Sequence, residues 1–552
     1  MQLSGVQIVI ERLCAHGATT VFGYPGGAVL PLYDELYKNA HRIHHVITAH
    51  EQGAAHAADG YSRATGKTGV VIATSGPGAT NLVTGIANAY LDSVPMVAIT
   101  GNVATDLLGR DSFQEVDIGG ITQAIVKHNY VIRDIEKLEE TIDESFRIAN
   151  SGRPGPVLID IPKNIQVAVC DYVGKTPVKN ESPECTFDVN HIVDLIKTSK
   201  KPFIYAGGGV IASGAGAELR ELSERISAPV GLSMMGLSAL PNDFNANLGM
   251  SGMHGKYASI IAQSECDLMI ALGVRFSDRA TGKISHFTLG KTIVHVDIDL
   301  AEIGKNVPSQ VSVCGDVKDF LVKLLSTLPP IRREDWLERI VQLRQAEQAG
   351  EETASSNFTP KNIIETVNQS CSDDTIIVTD VGQHQMWVVQ YYKLMKARTL
   401  LTSGGLGAMG YGLGAAIGSC MAMNRQRTVL FTGDGSFGMN LIELATAVTQ
   451  KLPIVVIVLN NNTLGLPRQW QSMFFGERYS HSTLNRKTDF TALAKAFGAD
   501  GHSASTLSEV AEIMSCLPEE RPVVVDCHID INEMVFPMIP PGCTVKDIVT
   551  RR

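Results

Sequence analysis

Two polar motifs in the last third of the chain have the composition of a metal and diphosphate site. Gly433-Asp434-Gly435-Ser436 follows the apolar run Thr428–Phe431, and Asn461 lies 27 positions after Asp434, in Leu459-Asn460-Asn461-Asn462 at the end of a second apolar run. A hard cation such as Mg²⁺ takes oxygen ligands: a carboxylate, an amide or backbone carbonyl, and the oxygens of a diphosphate. Two adjacent strand ends can present that set. The same Gly-Asp-Gly and Asn-Asn sequences are also ordinary turn formers, so composition alone leaves both readings open. Far upstream, Glu51 in His50-Glu51-Gln52-Gly53-Ala54 opens an alanine-rich stretch that reads as a helix. An acidic side chain is favoured at the positive end of a helix dipole whatever else it does.

Spacing ties these residues together. Gly-Asp-Gly, some two dozen residues and then Asn-Asn resembles the fingerprint of thiamine-diphosphate enzymes, and the resemblance implies Asp434 and Asn461 as side-chain ligands of Mg²⁺, with Thr463 contributing its carbonyl. Phe22-Gly23-Tyr24-Pro25-Gly26-Gly27, the segment around Glu51, and Thr74-Ser75-Gly76-Pro77-Gly78-Ala79-Thr80-Asn81 resemble the pyrimidine-binding domain of that superfamily. By that resemblance Glu51 is the acid that hydrogen-bonds the pyrimidine N1′, so that the cofactor's own 4′-amino group can take the C2 proton. Tyr24, Pro25, Gly26, Gly27, Pro77 and Asn81 then line the pyrimidine end of the cofactor. Gly382, Gln383, His384, Gly407, Met409, Gly433, Gly435, Ser436 and Gly465 line the rest. Ser403 opens the segment expected to hold the middle of the cofactor, and Met409 is its wedge between the two rings.

Finer stretches narrow the family. Asp111-Ser112-Phe113-Gln114-Glu115-Val116-Asp117, Gly252-Met253-His254-Gly255, Arg275-Phe276-Ser277-Asp278-Arg279 and Gln469-Trp470-Gln471 resemble the catalytic subunit of acetohydroxyacid synthases, nearly end to end. Glyoxylate carboligases lack the activating glutamate that is present here. A flavin-active pyruvate oxidase and a scaffold that has lost turnover are the competing readings. The resemblance implies joining of pyruvate to a second pyruvate or to 2-ketobutyrate, the first common step toward the branched-chain amino acids. Phe113 and Gln114 would line the acceptor site and Trp470 would form the wall that favours 2-ketobutyrate. It also implies FAD without net redox chemistry, at Arg153, Gly207, Gly208, Gly209, His254, Gly273, Arg275, Asp278, Arg279, Asp297, Ile298 and Asp316. A homodimer or homotetramer with active sites between chains is expected, and a small regulatory subunit is a partner the family allows. Departures include Gly414 for a usual proline and Leu466-Pro467-Arg468 before Gln469, where Pro467 removes an N–H in a loop over the site.

These residues need rigid strand ends to hold them. Short β-branched runs, among them Gly69–Ala73, Phe203–Ala206, Asp267–Leu272, Thr292–Asp297, Thr375–Thr379, Thr428–Phe431 and Ile454–Leu459, are unbroken rather than alternating, which points to strands buried on both faces of parallel sheets. The expected fold is α/β: three doubly wound, mainly parallel-sheet domains, near 1–168, 190–328 and 359–530. Polar stretches 170–188, with Asn180, Ser182 and Pro183, and 329–358 read as linkers, the second partly helical. The tail 531–552 contains Val535-Phe536-Pro537-Met538-Ile539, too apolar for a free end and expected to pack near a site.

Composition limits the partners. The net charge of −10, with no local basic stripe, disfavours a nucleic acid or an anionic membrane surface. Ten cysteines fall singly, with no CxxC pair, so neither zinc nor a disulfide framework is expected. No signal sequence or long apolar span is read, and a reducing cytoplasm is the expected home.

Overall fold

The computed structural model describes residues 1–178, 184–351 and 357–550. Asn180, Ser182 and Pro183 of the first expected linker, part of the second (352–356), and the last two residues of the expected tail lie outside the described residues. Three six-stranded sheets carry the chain, and within each every neighbouring pair of strands is parallel. The first sheet runs in space His44–Ile47, Thr20–Tyr24, Gly69–Ala73, Met96–Asn102, Pro156–Pro162, His128–Val131. The third runs Leu400–Leu401, Ile376–Thr379, Thr428–Gly433, Ile454–Asn460, Val523–His528, Asp500–Ala504. Numbered along the chain, both have the order 2-1-3-4-6-5. The middle sheet runs Asn247–Met250, Val230–Leu232, Pro202–Ala206, Leu268–Leu272, Thr292–Asp297, Val311–Cys314, which is 3-2-1-4-5-6, the doubly wound order of dinucleotide-binding folds. In such sheets ligands bind beyond the carboxyl ends of the strands, where the winding direction reverses.

That point lies between Thr20–Tyr24 and Gly69–Ala73 in the first sheet, between Pro202–Ala206 and Leu268–Leu272 in the second, and between Ile376–Thr379 and Thr428–Gly433 in the third. Tyr24, Gly207, Gly273, Gly382 and Asp434 therefore all stand at or just past strands that flank a reversal.

The first and third sheets are joined by two helices that cross very closely, Glu51–Thr65 and Tyr411–Ala422. Small residues make the approach possible: a Cβ added at Gly418 would fall 1.8 Å from the Ala57 carbonyl oxygen, and one at Gly60 would fall 2.2 Å from that of Ala415. Gly414 has the same cause, since its added Cβ would meet the His56 Cβ at 2.8 Å.

Part of the second expected linker is an 18-residue helix, Glu334–Glu351, that braces the middle sheet. Trp336 is buried there and donates its indole N–H to the Pro202 carbonyl (3.0 Å), while Arg344 donates to that of Asn247 (2.6 Å), at the starts of two strands. Among the described residues no helix is long and apolar enough to cross a membrane.

Candidate active site

Asp434 and Asn461 follow two neighbouring strands of the third sheet, Thr428–Gly433 and Ile454–Asn460, and both are buried, as is Thr463. The Asn461 amide nitrogen donates to Gln383 Oε1 (3.1 Å), which leaves Oδ1 as the atom able to face a cation. Thr463 donates its hydroxyl to the Ser482 carbonyl (2.7 Å), which fixes its side chain. Burial pushes the Asp434 carboxyl up to about 6, a shift that a bound cation opposes. Beside them, His384 is buried and burial holds its imidazole neutral, with a pKa of about 3. Its Nε2 has no protein partner, the mark of a donor or acceptor meant for a ligand. A side chain at Gly433 would put its Cβ 3.0 Å from His384 Nδ1, a tight contact that would press on the imidazole. The set of carboxylate, amide oxygen, carbonyl and an imidazole with an unpartnered Nε2 at a sheet reversal fits Mg²⁺ and a diphosphate.

The segment 403–410 is irregular and half exposed, and its ends are fixed by side chains. Ser403 Oγ accepts from Ala408 N (2.9 Å), and Asp380 Oδ1 accepts from Gly410 N (2.8 Å). Met409 is half-buried, and Gly407 is exposed with φ +68°. Met409 Cε would lie 3.8 Å from a Cβ at Gly435. Ser436 Oγ donates to the Val381 carbonyl (3.3 Å), beside Gly382.

In the first domain Glu51 is the first residue of its helix, capped by His50, whose ring accepts from Gln52 N (3.1 Å). Asn81 donates to Glu51 Oε2 (2.9 Å), and a Cβ at Gly78 would lie 3.2 Å from Glu51 Oε1. The turn before it is held by the third domain: Glu443 accepts from Ala49 N (3.1 Å) and His50 N (3.0 Å). Tyr24 and Pro77 are exposed, Gly26 packs on Thr74, and Gly27 is open. Phe113 is 87 % exposed, and Gln114 is exposed with φ +57°. Both residues stand open at the surface of the single chain.

Trp470 lies half-buried on the helix Gly465–Phe474, edge-on to Phe474 at 5.7 Å. Pro467 sits in the first turn of that helix, where an N–H has no intrahelical acceptor, so the departure removes no backbone bond.

In the middle domain Gly207 and Gly209 meet Gly273 backbone to backbone: a Cβ at Gly207 would fall 2.1 Å from the Gly273 oxygen. Gly208 faces Met235. Asp297 is buried at a strand end and its carboxyl is pushed up to about 6. Ile298 follows it, half-buried. Arg275 is largely buried, and His254 keeps an orphaned buried Nδ1. Bare glycines at the reversal, a buried guanidinium and an imidazole with an unpartnered Nδ1 fit a dinucleotide such as FAD. The remaining members of the expected set have these surroundings. Arg153 pairs with Glu302 (2.9 Å), Asp316 caps the helix Val317–Leu325 by accepting from Lys318 N (2.8 Å), and the side chains of Asp278 and Arg279 are 85 % and 63 % exposed.

Three residues gave too little signal in the sequence. Gln469 is buried and exchanges two hydrogen bonds with the Val535 backbone (3.0 and 2.9 Å), while Gln383 donates to Gln469 Oε1 (3.2 Å) and to the Glu533 carbonyl (2.9 Å). The apolar tail therefore packs against Gln383 and Gln469, beside Asn461, and Ile539 N donates to the Met253 carbonyl (2.9 Å) of the middle domain. Asp380 and Glu443 are single buried acids far in sequence from what they hold.

Comparison with known proteins agrees with this geometry. Three family models match in succession: the N-terminal TPP binding domain of thiamine pyrophosphate enzymes over 3–121, the central domain over 189–324, and the C-terminal TPP binding domain over 380–527. The chain is 43% identical over 551 residues to the acetolactate synthase large subunit of Porphyra purpurea, covering 97% of this chain and 93% of that protein. It is 42% identical over 551 residues to the acetolactate synthase isozyme 2 large subunit of Escherichia coli (strain K12), covering all of both. It is 41% identical over 571 residues to the acetolactate synthase of Mycobacterium bovis, covering all of this chain and 92% of that one. Three consecutive domain matches and identity over the whole length place this chain in the acetolactate synthase large-subunit family of thiamine pyrophosphate enzymes.

Proposed function

We propose that this chain is the catalytic subunit of an acetolactate synthase, which decarboxylates pyruvate and transfers the two-carbon unit to a second pyruvate or to 2-ketobutyrate. The observation that carries the reading is the pairing of Glu51, held by Asn81, with a separate strand-end set of Asp434, Asn461, Thr463 and His384, whose Nε2 is buried without a partner. Bound thiamine diphosphate supplies the electron sink for loss of CO₂. The protein's groups bind and place protons. Asp434, Asn461 Oδ1 and the Thr463 carbonyl hold Mg²⁺, and the bare glycines 433 and 435 with His384 take the diphosphate. Glu51 holds a proton at the pyrimidine nitrogen. Phe113 and Gln114 receive the acceptor, and Trp470 gives apolar contact to its alkyl group. In the middle domain Gly207, Gly273, Arg275 and Asp297 hold FAD as a structural group with no redox step.

The exposure of Phe113, Tyr24, Met439 and Ile442 around these residues supports a site completed by a second copy, hence a homodimer or homotetramer. The "large subunit" in the relatives' names supports a small regulatory subunit as a further partner. Ten free cysteines support a reducing cytoplasm. Product analysis tests the reading: pyruvate with thiamine diphosphate, Mg²⁺ and FAD should yield acetolactate and CO₂, and omission of thiamine diphosphate should abolish it. Acetate or acetyl phosphate with peroxide would instead identify an oxidase.

A further inference from the structure

A buried charged cluster joins the first and third domains, and no step described above uses it. Asp59 and Arg63 lie one turn apart on the helix Glu51–Thr65, and Asp92 follows the helix Val83–Leu91. The side chains of Asp59 and Asp92 are fully buried and that of Arg63 nearly so. Arg63 Nε donates to Asp59 Oδ1 (2.6 Å), its NH2 to Asp92 Oδ2 (2.8 Å), and its NH1 to the Thr402 carbonyl (3.0 Å). Asp59 also accepts from Tyr411 OH (2.8 Å) and Asn88 Nδ2 (3.2 Å).

Two carboxylates against one guanidinium leave an excess negative charge, and buried charge persists only where further donors satisfy it. Those donors are backbone amides of the cofactor segment: Gly405 N donates to Asp92 Oδ1 (2.7 Å) and Gly404 N to Asp92 Oδ2 (3.1 Å). Ser403 Oγ next to them donates to Asn88 Oδ1 (2.5 Å) and accepts from Ala408 N (2.9 Å). Gly405 has no room for a side chain, because its Cβ would stand 2.7 Å from Asp92 Oδ1. Beyond Gly405 the segment reaches Met409 with few backbone hydrogen bonds of its own, so its start is set by Asp92 and its end by Asp380.

We propose that Asp92, oriented by the Arg63 fork, is a positioning residue for the cofactor: by holding the Gly404 and Gly405 amides it sets the path of the segment that carries Met409. The inference rests on the thiamine-diphosphate reading of the site. A purely structural salt bridge would change the stability of the cofactor-free protein. A positioning role changes cofactor affinity while leaving the reaction at saturation largely intact.

Isothermal titration of the full-length protein with thiamine diphosphate and Mg²⁺ separates these. Asp92→Asn keeps the shape but turns an N–H₂ toward one glycine amide, and should weaken binding about tenfold or more, the effect of one lost charge-assisted hydrogen bond. The KM for the cofactor should rise in step while kcat at saturating cofactor falls less than about threefold, the mark of lost uniform binding. Asp92→Ala should weaken binding further. Unaltered affinity in a folded Asp92→Asn protein would overturn the proposal, as would a fall in kcat with no change in KM. If neither Asp92 variant folds, Ser403→Ala, which leaves the ion cluster untouched, should show the affinity loss, and wild-type affinity there would also overturn it. Failure of the wild-type protein to bind thiamine diphosphate would instead reject the reading of the whole site.

Discussion

The side-chain amide of Asn461 donates to Gln383 Oε1 across 3.1 Å, and this one bond decides which atom of Asn461 can serve a cation. An asparagine amide is free to present nitrogen or oxygen, and only the oxygen ligates Mg²⁺. Gln383 is itself fixed, by donating to Gln469 Oε1 and the Glu533 carbonyl. Gln383→Met, which keeps the length and removes the acceptor, should therefore raise the Mg²⁺ concentration for half-maximal activity about ten- to a hundredfold, the usual effect of losing a group that orients a ligand. Gln383→Glu keeps an acceptor for Asn461 and should lie between Met and wild type. Mg²⁺ titrations of chelator-stripped protein give the comparison, and superimposable curves would mean that Gln383 does not orient Asn461.

On the proposed reading, acceptor choice depends on Trp470. Its indole is half-buried, supported edge-on by Phe474, on a helix whose first turn contains Pro467. Trp470→Leu should lower the preference for 2-ketobutyrate over pyruvate roughly tenfold, because one methylene in an apolar pocket is worth about 1–3 kcal/mol. Competition between the two acceptors, read as the ratio of the two acetohydroxyacids, gives the number. An unchanged ratio would remove Trp470 from the acceptor pocket.

The cores of the three sheets, and the placement of Asp434 and Asn461 at neighbouring strand ends, were legible in the sequence, and the reasons are physical. Central strands such as Gly69–Ala73 and Ile454–Asn460 are buried on both faces and so read as unbroken apolar runs. Strands His44–Ile47, His128–Val131 and Asp500–Ala504 lie on sheet edges with mixed exposure, and their polar residues hid them. Asp434 and Asn461 were readable because one sheet places them a fixed helix-plus-strand apart. Glu443, Asp380, Asp92 and Gln469 were not, because each acts on a backbone segment brought near only by tertiary packing. The apolar tail was expected near a site, and Val535 is hydrogen-bonded to Gln469. The stretch Glu334–Glu351 lies in the linker expected to be partly helical, and it is a bracing helix because Trp336 gives it an apolar anchor.

Acid should weaken the union of the first and third domains. His56 is buried in their helix crossing, edge-on to Tyr411 at 5.2 Å, and burial lowers its pKa to about 3. With an unfolded pKa of 6.5, the unfolded chain binds a proton there that the folded chain refuses, so stability is full above pH 6.5 and falls as pH drops toward 3. His56→Leu should make the pH dependence of stability between those limits shallower by up to about one proton. Thermal unfolding midpoints of both proteins across that range measure it, and parallel profiles would contradict the assignment.

On the proposed reading, Glu51 and Asp434 serve one reaction centre, built between two copies of the chain. Glu51→Gln alone should lose on the order of 10²-fold in turnover, the scale of lost acid–base assistance. Asp434→Ala should lose its Mg²⁺ and its activity. Co-expression of the two variants is decisive, because in a mixed dimer one site would carry both substitutions and the other neither. Random association makes half the dimers mixed, each with one intact site of two, so acetolactate formation should return to about a quarter of wild type. Activity no higher than that of the single variants would contradict the account, since it would place Glu51 and Asp434 of the same chain in each site.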